Sequence, residues 1–226
     1  MGKKAVDIVL LPDEAMTDKA IKTNAELVRK YSADSTLRQS SVQVGSPQAE
    51  IVLDKSNCLP HISIAMGCIE DSDIGAAGEI LEKIAEQNPM GKLKVIGVQV
   101  TENAKGEKVS VFKVEKTPQL QAIHERVSQE LARYFSWDVI EDMICGSDEV
   151  DSASSPRVAE TTLLWIKNYR EKSSFEKFSP HITIGYGQAE ALARPIEFRA
   201  SQLALCHLGN HCTCRKVLAS VGVVQI

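Results

Sequence analysis

Apolar and polar positions change their period several times along this chain of 226 residues, and each change marks an element. Residues 5–11 (AVDIVLL) are almost continuously apolar and rich in β-branched side chains, which predicts a strand, and Pro12 ends it. Thr17 or Asp18 is placed to cap a helix reaching residue 31, with Ile21, Ala25 and Val28 on one face. Residues 32–47 are polar and read as a loop or ragged strand, and 50–53 as a short strand. A second helix starts at Asp71 or Ser72, carries Ile74, Ala77, Leu81 and Ile84 at helical spacing, and stops by Asn88-Pro89. Residues 92–101 and 108–114 read as two strands around a turn at Asn103-Ala104-Lys105-Gly106. Thr117-Pro118 opens a third helix striped by Leu120, Ile123, Val127, Leu131 and Tyr134. Residues 136–157 are irregular and acidic, with an exposed loop at 152–156. A fourth helix spans 158–170, anchored by Trp165 and Tyr169. Residues 196–208 and 211–224 form a closing hairpin around Gly209-Asn210.

Two of the strands, at 59–66 and 179–186, share a sequence. Pro60-His61-Ile62-Ser63-Ile64 returns as Pro180-His181-Ile182-Thr183-Ile184, beginning 120 positions later. Alternation puts His61 and Ser63 on one face of their strand and Ile62 and Ile64 on the other, and treats His181 and Thr183 alike. The isoleucines suit a core. If the copies face each other, two imidazoles and two hydroxyls meet in one polar cleft. That set suits a phosphoryl group: two groups that titrate near neutrality and two donors for its oxygens. Strand, helix and histidine strand recur in this order in each half, so two lobes sharing one sheet system are expected, with no linker between them.

Composition narrows the partners. Apolar residues make up 43% and charged residues 25%, enough for a packed core in a soluble protein. The formal net charge of −4 is wrong for a protein that coats nucleic acid, so a nucleotide would be met in a local pocket. The first eleven residues are too polar for a secretory signal, and no apolar run approaches spanning length. Six cysteines without such a signal read as reduced thiols. A cytoplasmic monomer that binds neither membrane nor DNA is expected.

The doubled His-x-Ser/Thr motif and the order of elements resemble the 2H phosphoesterase superfamily, which includes 2′-5′ RNA ligase-like proteins and cyclic phosphodiesterases. The resemblance covers most of the chain and is specific at the ten motif residues. It implies an α+β fold: bilobal, with pseudo-twofold duplicated antiparallel sheets and flanking helices around a central cleft, one domain over 1–226. It implies a metal-independent phosphodiesterase that needs no cofactor. Its substrate would be a small nucleotide, a 2′,3′-cyclic phosphate or an RNA terminus. By motif match the catalytic roles fall on His61, His181, Ser63 and Thr183, the two hydroxyls also binding substrate. Members often carry an aromatic three residues after the hydroxyl. Tyr186 fits that substrate-binding position and Met66 does not, although strict alternation turns Tyr186 away from His181. The alternatives are a nucleotide-binding module without useful turnover and an RNA end-processing ligase or exonuclease.

Other clusters carry less. Cys206-His207 and His211-Cys212-Thr213-Cys214 have a poor chelating bite for zinc and read as small packed residues. His124, beside Glu125, reads as a solvated residue on its helix. Cys58 and Cys68 read as buried thiols. Lys55, Arg157, Lys172 and Lys177 are scattered cations that could meet a phosphate.

Overall fold

A computed structural model describes residues 2–33, 51–102, 106–146 and 158–226. The strands are β1 (Lys3–Pro12), β2 (Ile62–Glu70), β3 (Leu93–Glu102), β4 (Lys108–Val114), β5 (His181–Tyr186), β6 (Ile196–Phe198), β7 (Ala200–Leu208) and β8 (Cys214–Gly222). The helices are α1 (Glu14–Ala33), α2 (Ile74–Gln87), α3 (Pro118–Glu130) and α4 (Glu160–Ser173). All strand pairs are antiparallel, in the order β6-β3-β4-β5-β2-β1-β7-β8. The two histidine strands are therefore neighbours at the middle of one sheet, joined through the single pair Ile62 and Ile182. On either side lie four strands, β2-β1-β7-β8 and β5-β4-β3-β6. This is the expected duplicated architecture, with the two halves fused edge to edge.

β1 is buried along Ala5–Leu10 because it is covered on both faces. Val6, Ile8 and Leu10 join Ile62, Ile64, Ile182 and Ile184 in the main core beneath α1, α2 and α3. Ala5 points the other way, into a smaller core with Met66, Cys68, Leu208 and Ile166 and Tyr169 of α4. Asp7 and Val9 share the face of Ala5 by alternation. The histidine motifs obey the same rule: Ile62, Ile64, Ile182 and Ile184 are at most 1% exposed, while the His and hydroxyl positions are only half-buried.

The helices cross between halves. α1 follows β1 but packs on β5, and α3 follows β4 but packs on β2. α1 starts earlier than its sequence suggested, at Glu14. Asp13, not Thr17 or Asp18, caps it by accepting from the Met16 N–H at 3.0 Å, while its other oxygen accepts from the Arg199 N–H at 2.7 Å. α3 begins as expected, with Thr117 Oγ1 accepting from the Leu120 N–H at 3.2 Å and Pro118 in the first turn.

Both histidine strands carry a β-bulge at the same motif position. Ile8 faces Ala65 but Val9 faces Ser63, so Ile64 is the extra residue of β2. Ser110 faces Gly185 but Val111 faces Thr183, so Ile184 is the extra residue of β5. A bulge leaves its backbone groups out of the ladder, and a buried carbonyl needs another donor. Each crossing helix supplies one. His124 Nδ1 of α3 lies 2.6 Å from the Ile64 carbonyl, and Asn24 Nδ2 of α1 lies 2.7 Å from the Ile184 carbonyl. The pseudo-twofold relation thus extends to single hydrogen bonds.

Several sequence expectations need correction. His124 is fully buried, not solvated: its Nδ1–H donates to Ile64, its Nε2 accepts from the Phe175 N–H at 2.6 Å, and its ring stacks on Phe178 at 4.2 Å. Residues 51–53 are not a strand. Ile51 and Leu53 are buried and Val52 is 53% exposed, so burial alternates as it would in a strand. Their ladder partner, however, is a side chain: Asn24 donates to the Ile51 carbonyl at 2.7 Å and accepts from the Leu53 N–H at 2.9 Å. The acidic stretch is not simply a solvated loop, because Val139 and Ile144 are buried against Ile166 and Tyr169. The expected loops at 32–47 and 152–156, most of the 103–106 turn, and Arg157 fall largely or wholly outside the described residues. No helix among the described residues is long and apolar enough to cross a membrane.

Candidate active site

The Ile62–Ile182 pairing sets the geometry. In an antiparallel pair, continuing that register by one residue each way puts His61 across from Thr183 and Ser63 across from His181. Cross-strand side chains on one face start only about 4.5–5.5 Å apart at Cβ. This register turns the four motif side chains to the face opposite the main core, where the two strands meet.

Both imidazoles are held in the same way. His61 Nδ1 lies 2.7 Å from the Leu59 carbonyl, and His181 Nδ1 lies 2.8 Å from the Ser179 carbonyl. A carbonyl only accepts, so each Nδ1 carries the hydrogen and each neutral ring keeps Nε2 as its acceptor. Pro60 and Pro180 stand between each histidine and the carbonyl it uses, and they fix φ there. Burial pushes His61 down to about 4, with a smaller push from the nearby His181. Burial also lowers His181 below the usual histidine range.

The bulge turns Tyr186 to the face of His181 and Thr183. His181 faces Lys113, Thr183 faces Val111 and Tyr186 faces Val109, and these three β4 residues alternate on one face. Directly opposed residues share a face, so His181, Thr183 and Tyr186 do too. Strict alternation failed because Ile184 adds one residue. Tyr186 Oη lies 2.9 Å from His211 Nδ1, with the rings edge-on at 5.5 Å. The β7–β8 loop that carries His211 is pinned to the start of α4. Asn210 Oδ1 accepts from the Ala159 N–H at 3.0 Å and from Thr162 Oγ1 at 2.9 Å, and the His211 N–H donates to Thr162 Oγ1 at 2.9 Å.

The same register brings in two charged residues that the sequence reading did not place. Asp7 faces Met66 and shares the cleft face with Val9, which faces Ser63. Its side chain has no solvent exposure. Ser63 Oγ donates to Asp7 Oδ2 at 2.5 Å, and His61 Nε2 lies 3.7 Å from the same oxygen. Asp7 Oδ1 is buried with no hydrogen-bond partner among the described residues. Burial raises Asp7 well above the usual carboxylate range, and the Ser63 hydroxyl pulls weakly the other way. Lys113 is exposed and stands directly across from His181. The signal for Asp7 was present: it is the one charged residue in the apolar run 5–11. Lys113 and His211 had no comparable signal.

Among the other candidate cations, Lys55 is spent on Asp18 at 2.7 Å and Glu14 at 3.3 Å, and Lys177 donates to the Glu171 carbonyl at 2.7 Å. Among the described residues, no three His, Cys, Asp or Glu side chains are grouped to hold a metal ion. The described cysteines are all free thiols, and Cys58 and Cys68 are buried, with pKa values pushed up by burial to about 11.

No protein-family model matches the sequence, and a search of curated proteins finds no match. Solved structures do match. TT0787 of Thermus thermophilus superposes with a TM-score of 0.53 at 12% identity, covering 98% of each chain. E. coli LigT complexed with phosphate gives 0.47 at 9% identity over 100% of both chains. A phosphoesterase gives 0.45 at 10% identity, over 98% of this chain and 99% of its own. The chain shares the fold of TT0787, and its α+β architecture of two antiparallel halves is the one that its paired motif implied.

Proposed function

We propose that the protein is a metal-independent phosphodiesterase acting on a 2′,3′-cyclic phosphate of a small nucleotide or an RNA terminus. The observation that carries this reading is the pair of Nδ1-anchored histidines on adjacent strands, with both Nε2 atoms free to accept. Cleaving such an ester needs a base to take a proton from water and an acid to protonate the leaving ribose oxygen. Two imidazoles, one neutral and one charged, supply both. Thr183 donates to a non-bridging oxygen, where charge builds in the transition state. Ser63 lines the same face, its hydroxyl held by Asp7. Tyr186, fixed by His211, flanks the site and offers a ring and a hydroxyl to the nucleoside.

The test is turnover of 2′,3′-cyclic mononucleotides with and without a chelator. Hydrolysis that persists in chelator is expected. Activity lost in chelator and restored by a divalent cation would overturn the metal-free reading. Nucleotide binding without turnover would make the protein a binding module.

A further inference from the structure

The two halves match in backbone, bulge and histidine anchoring, but not in charge. Asp7 of β1 stands beside Ser63 and His61. Its counterpart in the other half, one step past the bulge on β4, is Val109. Conversely, Lys113 faces His181, and extending the β1–β2 register past Leu10 and Ile62 puts Leu11 in the matching place beside His61. One histidine has a carboxyl group 3.7 Å from its ring, and the other stands directly across the ladder from a lysine. The other titratable groups facing Asp7 are Tyr169 of α4 and Cys212 and Cys214 of the β7–β8 region; burial keeps Tyr169 and Cys212 neutral, and a hydrogen bond with Cys206 followed by burial does so for Cys214. None of them offers Asp7 a compensating positive charge.

We propose that Asp7 is a positioning residue that makes His61 the proton donor, leaving His181, opposite Lys113, as the proton acceptor. The assignment rests on the phosphodiesterase reading for its chemistry. A buried carboxylate 3.7 Å from an imidazole favours the imidazolium by direct attraction. The Asp7–His61 pair has no net charge whether the shared proton sits on the carboxyl or on the ring, so burial does not forbid the proton-bearing ring. An exposed ammonium across the strand disfavours protonation of His181. In the reaction, His181 Nε2 takes a proton from water, and the water oxygen bonds to phosphorus. The bond from phosphorus to the ribose oxygen breaks, and that oxygen receives the proton from His61 Nε2. Return of the proton from His181 through solvent to the Asp7–His61 pair closes the cycle.

The experiment is an NMR titration of both imidazoles with inorganic phosphate bound, in the wild type, Asp7→Asn and Lys113→Met, alongside pH–rate profiles. Asp7→Asn is expected to lower the His61 titration by about one pH unit or more while leaving His181 in place. The alkaline limb of kcat should move by the same amount, with kcat at pH 7 reduced about tenfold and KM little changed. Lys113→Met, at an exposed position that folding tolerates, should raise the His181 titration and move the acid limb upward. Unmoved titrations of both histidines in both variants would overturn the proposal, even if the enzyme turns over cyclic phosphates. Shifted titrations without any turnover would support the asymmetry and refute the phosphodiesterase reading instead.

Discussion

Asn24 is a sharp test of how the histidine strand is held. Its side chain is 1% exposed and serves three backbone groups: the Ile51 and Ile184 carbonyls at 2.7 Å each and the Leu53 N–H at 2.9 Å. Only one orientation of the amide satisfies two acceptors and one donor, so the assignment is fixed by its partners. Asn24→Leu orphans all three groups in a dry site. Each buried unsatisfied backbone group costs about 1–3 kcal/mol, so a loss of about 3–9 kcal/mol is expected for the three. That is a large share of the roughly 5–15 kcal/mol by which a domain is stable. Asn24→Asp keeps the acceptor for Leu53 but turns a carboxylate oxygen onto two carbonyls. The pKa of the introduced carboxyl group would be raised in the fold, so the stability of the variant relative to wild type should recover as pH falls toward the unfolded carboxylate range and worsen as pH rises. Urea titrations followed by tryptophan fluorescence would measure both effects. A loss below about 1 kcal/mol for Asn24→Leu would show that the bulge carbonyl has another partner, and the reasoning would fail.

Other perturbations probe the site and its frame. His61→Ala and His181→Ala should each slow turnover by roughly 10²–10⁴-fold, with the double variant losing far less than the product; a folded single variant at wild-type rate would remove that histidine from the mechanism. Gly185 has φ +144°, and a Cβ there would lie 2.8 Å from Asn24 Nδ2, so Gly185→Ala should cost about 1–3 kcal/mol in a urea titration; an unchanged midpoint would contradict this packing. Burial lowers the pKa of His61, His124, His181 and His207. Their contribution is complete above the unfolded value of about 6.5 and is lost as pH falls through the folded values. Asp7, raised by burial, contributes stability below the unfolded carboxylate value that is lost as pH rises, so it opposes His61 between the two. The other three histidines should therefore dominate, and the urea midpoint should fall from pH 7 to pH 5; a flat profile would refute their burial as neutral rings.

What the sequence showed and what it hid follow from range. The histidine strands were legible because alternation is local: Ile62 and Ile64 had to go one way and His61 and Ser63 the other. The doubling of the motif made the meeting of the two strands readable as well. Tyr186 was misdirected because a bulge at Ile184 leaves no mark in a list of apolar positions. His124 was legible in principle, since it sits four residues after Leu120 and three before Val127 on the buried stripe of α3. Its polar identity hid it, because the carbonyl that needs it lies sixty residues away in β2. Residues 51–53 showed true strand-like alternation, but their hydrogen-bond partner is a side chain, which no periodicity reports. Asp7 acquires meaning only from the register of β1 against β2.

The position of β1 in the sheet has a consequence for how the molecule is made. Val6 faces Gly67 on one side and His207 on the other. During synthesis, β1 emerges first and waits for one of its two neighbours until nearly the last strand has been translated. Until then, the apolar run from Ala5 to Leu10 has an open backbone edge, and for most of that time α1 also lacks β5 beneath it. Such edges recruit other chains, and such distant pairings form slowly. Nascent chains stalled before β7 should therefore bind general chaperones and aggregate when released, while chains stalled after β8 should fold.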